Sequence, residues 1–273
     1  PWPGNWRYRH LSATPQRWFD DSGTDIIKKY FVKTVFEYTL ENAIKNGFLV
    51  NYKYFPTIIR LTDEENDYYN ELSEKIAKVM RIKESERPKN ILESLVRKRS
   101  LIVKNAQNKL PAFLELIREQ KKKGFIKNTL VYCSAGDNNR ITKLISELGI
   151  KVHQITYNET LSERESILKR FSNGEIEVLV AIKCLDEGVD VPSTEIAYFL
   201  ASTSNPREFV QRRGRILRTF KGKISSSIYD FIVFPSLNID SKIGVLYENN
   251  KKIISKEMPR FAEFSLYSIN RFY

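Results

Sequence analysis

From residue 129 onward the chain alternates short apolar runs with amphipathic stretches, and this alternation constrains the fold more than any other feature of the sequence. The strand-like runs are 129–134 (TLVYCS), 151–155, 177–182 (EVLVAI), 195–201 and 226–234, most of them continuously apolar. Helical spacing fills 138–148, closed by Gly149, then 162–171, closing near Gly174, and 206–214. Strands that are apolar at successive positions, not only at alternate ones, must be covered on both faces. The intervening helices supply those covers, so the pattern predicts an α/β fold with a parallel sheet between two helical layers. In such sheets ligands gather beyond the carboxyl ends of the strands, which directs attention to the loops after Ser134, Ile182 and Ala201.

Upstream the pattern is different. Residues 24–31 have helical spacing, with Thr24 as the expected N-cap. Residues 48–61 alternate apolar side chains around Pro56, which confines that strand to a sheet edge. Two long helices are expected, at 63–80 and about 91–123, separated by a polar stretch containing Pro88. The last forty or so residues are mixed and carry no assigned role.

With 273 residues, 41% of them hydrophobic, the chain can bury a sizeable core as one large domain or one domain plus part of another. Its net charge of +12 fits a polyanionic partner such as nucleic acid, or alternatively a plain solvated basic surface. Basic runs at 97–104 and 121–127 read as solvated helix faces, and Trp2, Trp6, Tyr8 and Trp18 as either base-stacking or packing side chains. No apolar run approaches the roughly 20 residues of a membrane span, and Pro1–Trp6 lacks the pattern of a secretory signal, so a cytoplasmic location is expected. Cys133, Cys184, His10 and His153 have no zinc-ligand spacing. No metal site is expected from them, and the cysteines read as reduced, buried thiols.

Two segments carry chemistry. In 211–218 (QRRGRILR), four arginines fall within seven positions, and guanidinium forks suit phosphate oxygens. If this segment is helical up to a turn at Gly214, Gln211, Arg215 and Arg218 share a side. The plainer reading is a basic helix end. Residues 186–192 (DEGVDVP) place Gly188 for close backbone approach and Asp190 as a carboxylate suited to ribose hydroxyls; here the plainer reading is an acidic turn. A metal-binding pair at Asp186 and Glu187 is set aside because no phosphate loop precedes it.

Together these segments resemble superfamily 2 helicases. EVLVAIKCLDEGVDVP is similar to motif V, EFVQRRGRILR to motif VI, TLVYCS to motif IV and LSATP (11–15) to motif III, in the family's order and spacing. The Gln at position 211 and the segment after motif III resemble the restriction-enzyme and DNA-repair branch. The resemblance implies a RecA-like fold and three parts: the tail of a first RecA-like domain with a linker (1–47), a second RecA-like domain (48–235), and an extension of unknown role (236–273). It implies that Arg215 and Arg218 are arginine fingers supported by Gln211, that Glu187, Gly188 and Asp190 approach ATP, and that Ser12, Ala13 and Thr14 couple nucleotide state to the cleft. Ser134, Lys183 and Arg164 would meet nucleic acid, with DNA favoured over RNA. Many relatives have Thr where this chain has Ile182, so Lys183 takes over there as a plain cation.

No GxxxxGK[ST] loop and no DExH sequence occurs in the 273 residues. ATP and Mg2+ would therefore be held mainly by a first domain absent from this sequence, and this chain alone is expected to be inactive. Other subunits of a repair or restriction/defence complex are further implied partners. The rival class is a non-catalytic nucleic-acid-binding or scaffold module that retains the fold. A nuclease or restriction subunit is a third, for which no clustered carboxylates are visible.

Overall fold

A computed structural model describes residues 21–31, 36–182, 190–201, 206–236 and 245–271. Its centre is a six-stranded sheet of β1 (Asn51–Arg60), β2 (Thr129–Tyr132), β3 (Val152–Ile155), β4 (Val178–Ala181), β5 (Ile196–Phe199) and β6 (Ser225–Phe234). The spatial order is β1-β6-β5-β2-β4-β3, and every pairing is parallel. The helices are α1 (Asp21–Tyr30), α2 (Leu40–Lys45), α3 (Asp63–Met80), α4 (Lys89–Lys104), α5 (Lys109–Lys122), α6 (Asn138–Glu147), α7 (Leu161–Ser172), α8 (Pro206–Ile216) and α9 (Val245–Leu266). Among the described residues no helix is long and apolar enough to cross a membrane.

The sheet separates two cores, as strands buried on both sides require. Alternate residues Leu130, Tyr132, Leu179, Ala197 and Phe199 pack with Ile167, Phe171, Phe209 and Phe264 from α7, α8 and α9. The intervening residues Val131, Val178, Val180 and Tyr198 pack with Phe113, Ile117, Ile141 and Ile145 from α5 and α6. Gly149 and Gly174, at φ of +69° and +78°, end α6 and α7 in the left-handed conformation that only glycine adopts without strain. Thr62 with Glu65, and Thr160 with Glu163, close reciprocal capping boxes at the starts of α3 and α7.

β1 lies at the sheet edge, where Pro56 requires it, and the C-terminal segment covers its outer side. Asn270 Oδ1 accepts from the Tyr54 amide at 2.8 Å, its Nδ2 donates to the Tyr54 carbonyl at 2.9 Å, and the Ile269 amide donates to Tyr52 at 2.9 Å. By the two-residue period of a strand, the missing amide hydrogen of Pro56 faces that same outer side and costs the sheet no hydrogen bond.

Three expectations need correction. Helix α1 begins at Asp21, so Thr24 lies within its first turns and is not its cap. The long helix expected over 91–123 is two helices, broken between Lys104 and Lys109. Pro111 is the reason: it has no amide to donate to the Gln107 carbonyl and would clash with it, so it fits only in the first turn of a new helix. Finally, the mixed C-terminal region contains α9, which runs past Pro259 and seats Phe264 in the core.

A buried polar network anchors α9. Arg260 Nε donates to Asp230 Oδ2 on β6 at 2.8 Å, and its Nη2 donates to Glu257 Oε2 at 2.9 Å. Tyr54 donates to Asp230 Oδ2 at 3.0 Å, and the Val233 amide to Glu257 Oε2 at 3.1 Å. Lys109, also buried, donates to the carbonyls of Lys104 (3.0 Å) and Leu200 (3.1 Å).

Burial pushes the Lys109 ammonium down to about 8, although Glu257 and Asp230 pull it upward. Between pH 8 and 10 the unfolded chain therefore holds a proton that the folded chain has lost. This group's contribution to stability rises with pH there, by up to about 1.4 kcal/mol per unit. Above pH 10 the trend reverses, because Tyr54 and Tyr198, held un-ionised by burial, would ionise only in the unfolded chain. Urea midpoints measured across this window should rise for the native chain and rise less for Lys109→Met; equal slopes would contradict the assignment.

Candidate functional site

Helix α8 carries most of the arginine-rich segment. Gly214 does not end it, and the helix continues to Ile216. A glycine costs a helix interior only about 1 kcal/mol relative to alanine. The burial of Phe209, Arg212, Arg213, Ile216 and Leu217 in and just beyond the helix outweighs that.

The four arginines divide by side. Arg212 is buried: it donates to the Ala201 carbonyl at 3.3 Å, pairs with Glu208 at 3.7 Å, and lies 5.0 Å from the Tyr132 ring centroid. Arg213 is also buried. It donates to the Glu263 carbonyl at 2.8 Å and pairs with its carboxylate at 2.7 Å, and its guanidinium sits 5.2 Å from the Phe264 ring centroid. Half of the apparent phosphate-binding cluster is therefore structural, joining α8 to the rim beyond β5 and to α9. Gln211 and Arg215, one helical turn apart, are half-buried on a different side.

Arg218 does not continue that helical side, as the i+7 spacing had suggested. The chain leaves the helix after Ile216. The Val50 amide donates to the Leu217 carbonyl at 2.8 Å, and Leu49 forms an antiparallel bridge with Arg218. Lys223, which no sequence motif marks, sets this turn. Its Nζ donates to the carbonyls of Pro192 (2.9 Å), Arg218 (3.0 Å) and Ile216, tying the end of motif VI to the end of motif V. A cation at the carbonyl end of a helix also complements its dipole. Burial pushes the Lys223 ammonium down to about 8.

This turn places Arg218 against Asp190, and Nη1 and Oδ2 form a direct ion pair. Both side chains are about half-exposed, 50% and 45%. An exposed pair of this kind is worth about 0–1 kcal/mol, so an incoming phosphate or ribose can take over either partner at little cost.

Strand register defines a rim of candidate residues. Ile155, Ala181, Tyr132 and Phe199 are level across β3, β4, β2 and β5. Ser134 lies two residues beyond that row, buried, and its hydroxyl donates to Asn105 Oδ1 at 2.9 Å. Arg164 Nη2 donates to the carbonyls of Thr156 (3.3 Å) and Glu159 (3.5 Å). Lys183, Glu187, Gly188, Ser12, Ala13 and Thr14 lie outside the described residues, as do Cys184 and the N-terminal tryptophans; Cys133 is a buried free thiol.

Comparison with known proteins agrees with this layout. Residues 108–220 match the family of helicase conserved C-terminal domains. The chain is 29% identical over 225 residues to DNA 3'-5' translocase XPB2 of Sulfurisphaera tokodaii, covering 76% of this chain and 49% of the relative. It is 25% identical over 181 residues to UvrABC system protein B of Fusobacterium nucleatum, covering 62% of this chain and 26% of the relative. The chain thus spans half or less of the length of these relatives. A structure of the Sulfolobus solfataricus SWI2/SNF2 ATPase core in complex with dsDNA shares the fold, with a TM-score of 0.55 at 17% identity over 90% of this chain and 58% of that one. The sequence motifs, the parallel sheet and these matches agree: residues 108–220 of the chain match the helicase conserved C-terminal domain.

Proposed function

We propose that this chain is the C-terminal motor half of an ATP-dependent DNA helicase or translocase. It contributes Arg215 and Arg218 to an ATP site completed by another RecA-like domain. The observation that carries this reading is the division of the motif VI arginines. Arg212 and Arg213 are committed to packing, whereas Arg218 stands at the surface against Asp190 of motif V.

Phosphoryl transfer is accelerated mainly by positive charge placed against the transferring group's oxygens. Arg218, released from Asp190, offers a planar donor fork for that purpose, and the freed Asp190 carboxylate can accept from a ribose hydroxyl. Gln211 lies one turn before Arg215 and steadies it. Arginines supplied from a separate domain act only when the two domains close, which links hydrolysis to movement along the strand.

Among the described residues no group of three or more His, Cys, Asp or Glu side chains could hold a metal ion. The sequence contains no phosphate loop, so on this reading the other domain would hold the phosphates of ATP and the accompanying Mg2+. On this reading residues 48–235 form the second RecA-like domain, and α9 completes its packing. XPB2 is named as a DNA translocase, and that name, with the net charge of +12, supports DNA as the polyanion.

The test is to supply a RecA-like domain that carries a phosphate loop and measure ATP hydrolysis with and without DNA. DNA-stimulated turnover is expected from the pair and negligible turnover from this chain alone. Two folded, associated halves that show no stimulation would favour a scaffold role.

A further inference from the structure

The loop between β3 and α7 and the first residue of α7 carry two largely exposed apolar side chains: Tyr157 is 69% exposed and Leu161 is 78% exposed. Single exposed hydrophobic residues are common on protein surfaces. Here, however, the backbone on either side of Tyr157 is braced. Glu159 accepts from the Thr156 amide at 2.7 Å and from its hydroxyl at 3.0 Å, and the Asn158 amide donates to Thr156 Oγ1 at 3.2 Å. The Thr160–Glu163 capping box fixes the start of α7, and Arg164 clamps the carbonyls of Thr156 and Glu159 from below. The loop therefore holds a tyrosine ring in water on a rigid mount.

Register locates that mount. Tyr157 lies two residues beyond Ile155, just as Ser134 lies two residues beyond Tyr132, and Ile155 and Tyr132 are both level with Ala181. At about 4.8 Å per strand, β3 and β2 lie roughly 10 Å apart across β4, and Tyr157 and Ser134 each follow the carboxyl end of their strand on the same rim. The chain leaving β4 between them leads, in sequence, to Lys183. An exposed cation lies on the neighbouring helix. Exposed Arg140 lies in the first turn of α6, and Asn138 of that turn donates to Gln154 of β3 at 2.9 Å. The nearby carboxylates of Glu159 and Glu163 are occupied within the loop and its cap.

We propose that Tyr157, with Leu161 four residues on, is a stacking platform for a base of a single nucleic-acid strand whose backbone follows this rim. The proposal rests on the nucleic-acid part of the function proposed above. Every base presents a π-face, so such a platform holds a strand without reading its sequence, and a tyrosine on a braced loop leaves only its side-chain rotamers to be ordered on binding. Arg164 then acts by holding the loop and does not itself touch phosphate.

The test is fluorescence anisotropy of this chain with a labelled mixed-sequence single-stranded oligonucleotide over a range of salt concentrations. Tyr157→Ala should weaken binding about 5- to 150-fold, and Tyr157→Phe should stay within about 2-fold of the native chain. The salt slope should be unchanged by either variant, because no phosphate contact is lost. An oligonucleotide of abasic sites should bind the native chain and Tyr157→Ala equally. Both variants should unfold at the native temperature, since the ring is exposed. Native affinity in Tyr157→Ala, an equal loss in Tyr157→Phe, or a changed salt slope would each overturn the platform. If the native chain fails to bind any strand, the nucleic-acid reading falls and the platform with it; if it binds and Tyr157→Ala is silent, only the platform falls.

Discussion

Replacing Arg260 by Met is expected to destabilise the chain by about 3–5 kcal/mol, a large share of the total stability of an ordinary domain. The guanidinium is buried and serves two buried carboxylates, Asp230 on β6 and Glu257 one turn earlier on α9. Methionine fills similar space but leaves both carboxylates without their shared cation, and Lys109 lies close enough to influence only part of that charge. In the native chain burial pushes the Glu257 carboxyl up, but Arg260, then Lys109 and the Val233 amide, hold it below the usual carboxylate range. Without Arg260 the burial effect dominates and the folded-state value rises above the unfolded one. The variant would then bind more protons folded than unfolded, so its deficit should shrink as pH falls from about 7 toward 5. Urea denaturation at several pH values measures this directly, and adding Glu257→Gln to Arg260→Met should recover part of the loss. A deficit below about 1 kcal/mol would mean that the network is far better hydrated than its burial indicates.

Arg215→Ala and Arg218→Ala, each made in a motor completed by its first domain, should lower kcat about 10³- to 10⁵-fold. Arg218→Ala should leave thermal unfolding little changed, because Arg218 is half-exposed and its partner Asp190 remains solvated when left alone. Asp190→Asn should act mainly on KM, since its proposed contact is with the ribose and not with the transferring group. Arg213→Ala should behave in the opposite way: it removes a buried pair with Glu263 and the packing over Phe264, so folding fails before catalysis can be assessed. Steady-state ATPase assays alongside calorimetry separate the two classes. Retention of more than a tenth of native kcat by both Arg215→Ala and Arg218→Ala would remove the arginine-finger assignment.

Much of the architecture is legible from local pattern because its causes are local. Strands apolar on both sides can only be interior strands, Gly149 and Gly174 supply the left-handed turn that ends each helix, and Pro56 belongs at an edge. The errors occur where a distant contact overrides a local tendency. Gly214 looks like a helix end, but Phe209, Ile216 and Leu217 gain enough from the core to carry the helix through. Helix α9 is obscured because Pro259 interrupts its pattern and because its inward residues include Glu257 and Arg260, which read as surface until their partners are known. The break after Lys104 was legible in principle, through Pro111 and the Gln107 carbonyl it cannot serve.

The arginine-rich segment marks the same division. Composition, motif order and strand periodicity are properties of neighbouring residues, and they were sufficient to establish a parallel α/β domain of the helicase type. They could not separate Arg212 and Arg213 from Arg218, because all are alike along the chain. That separation depends on Glu263 and Phe264, fifty residues downstream, meeting one side of α8, and on Lys223 turning the chain so that Arg218 faces Asp190. Burial and pairing are set by which surfaces meet in three dimensions, and only the tertiary structure decides that.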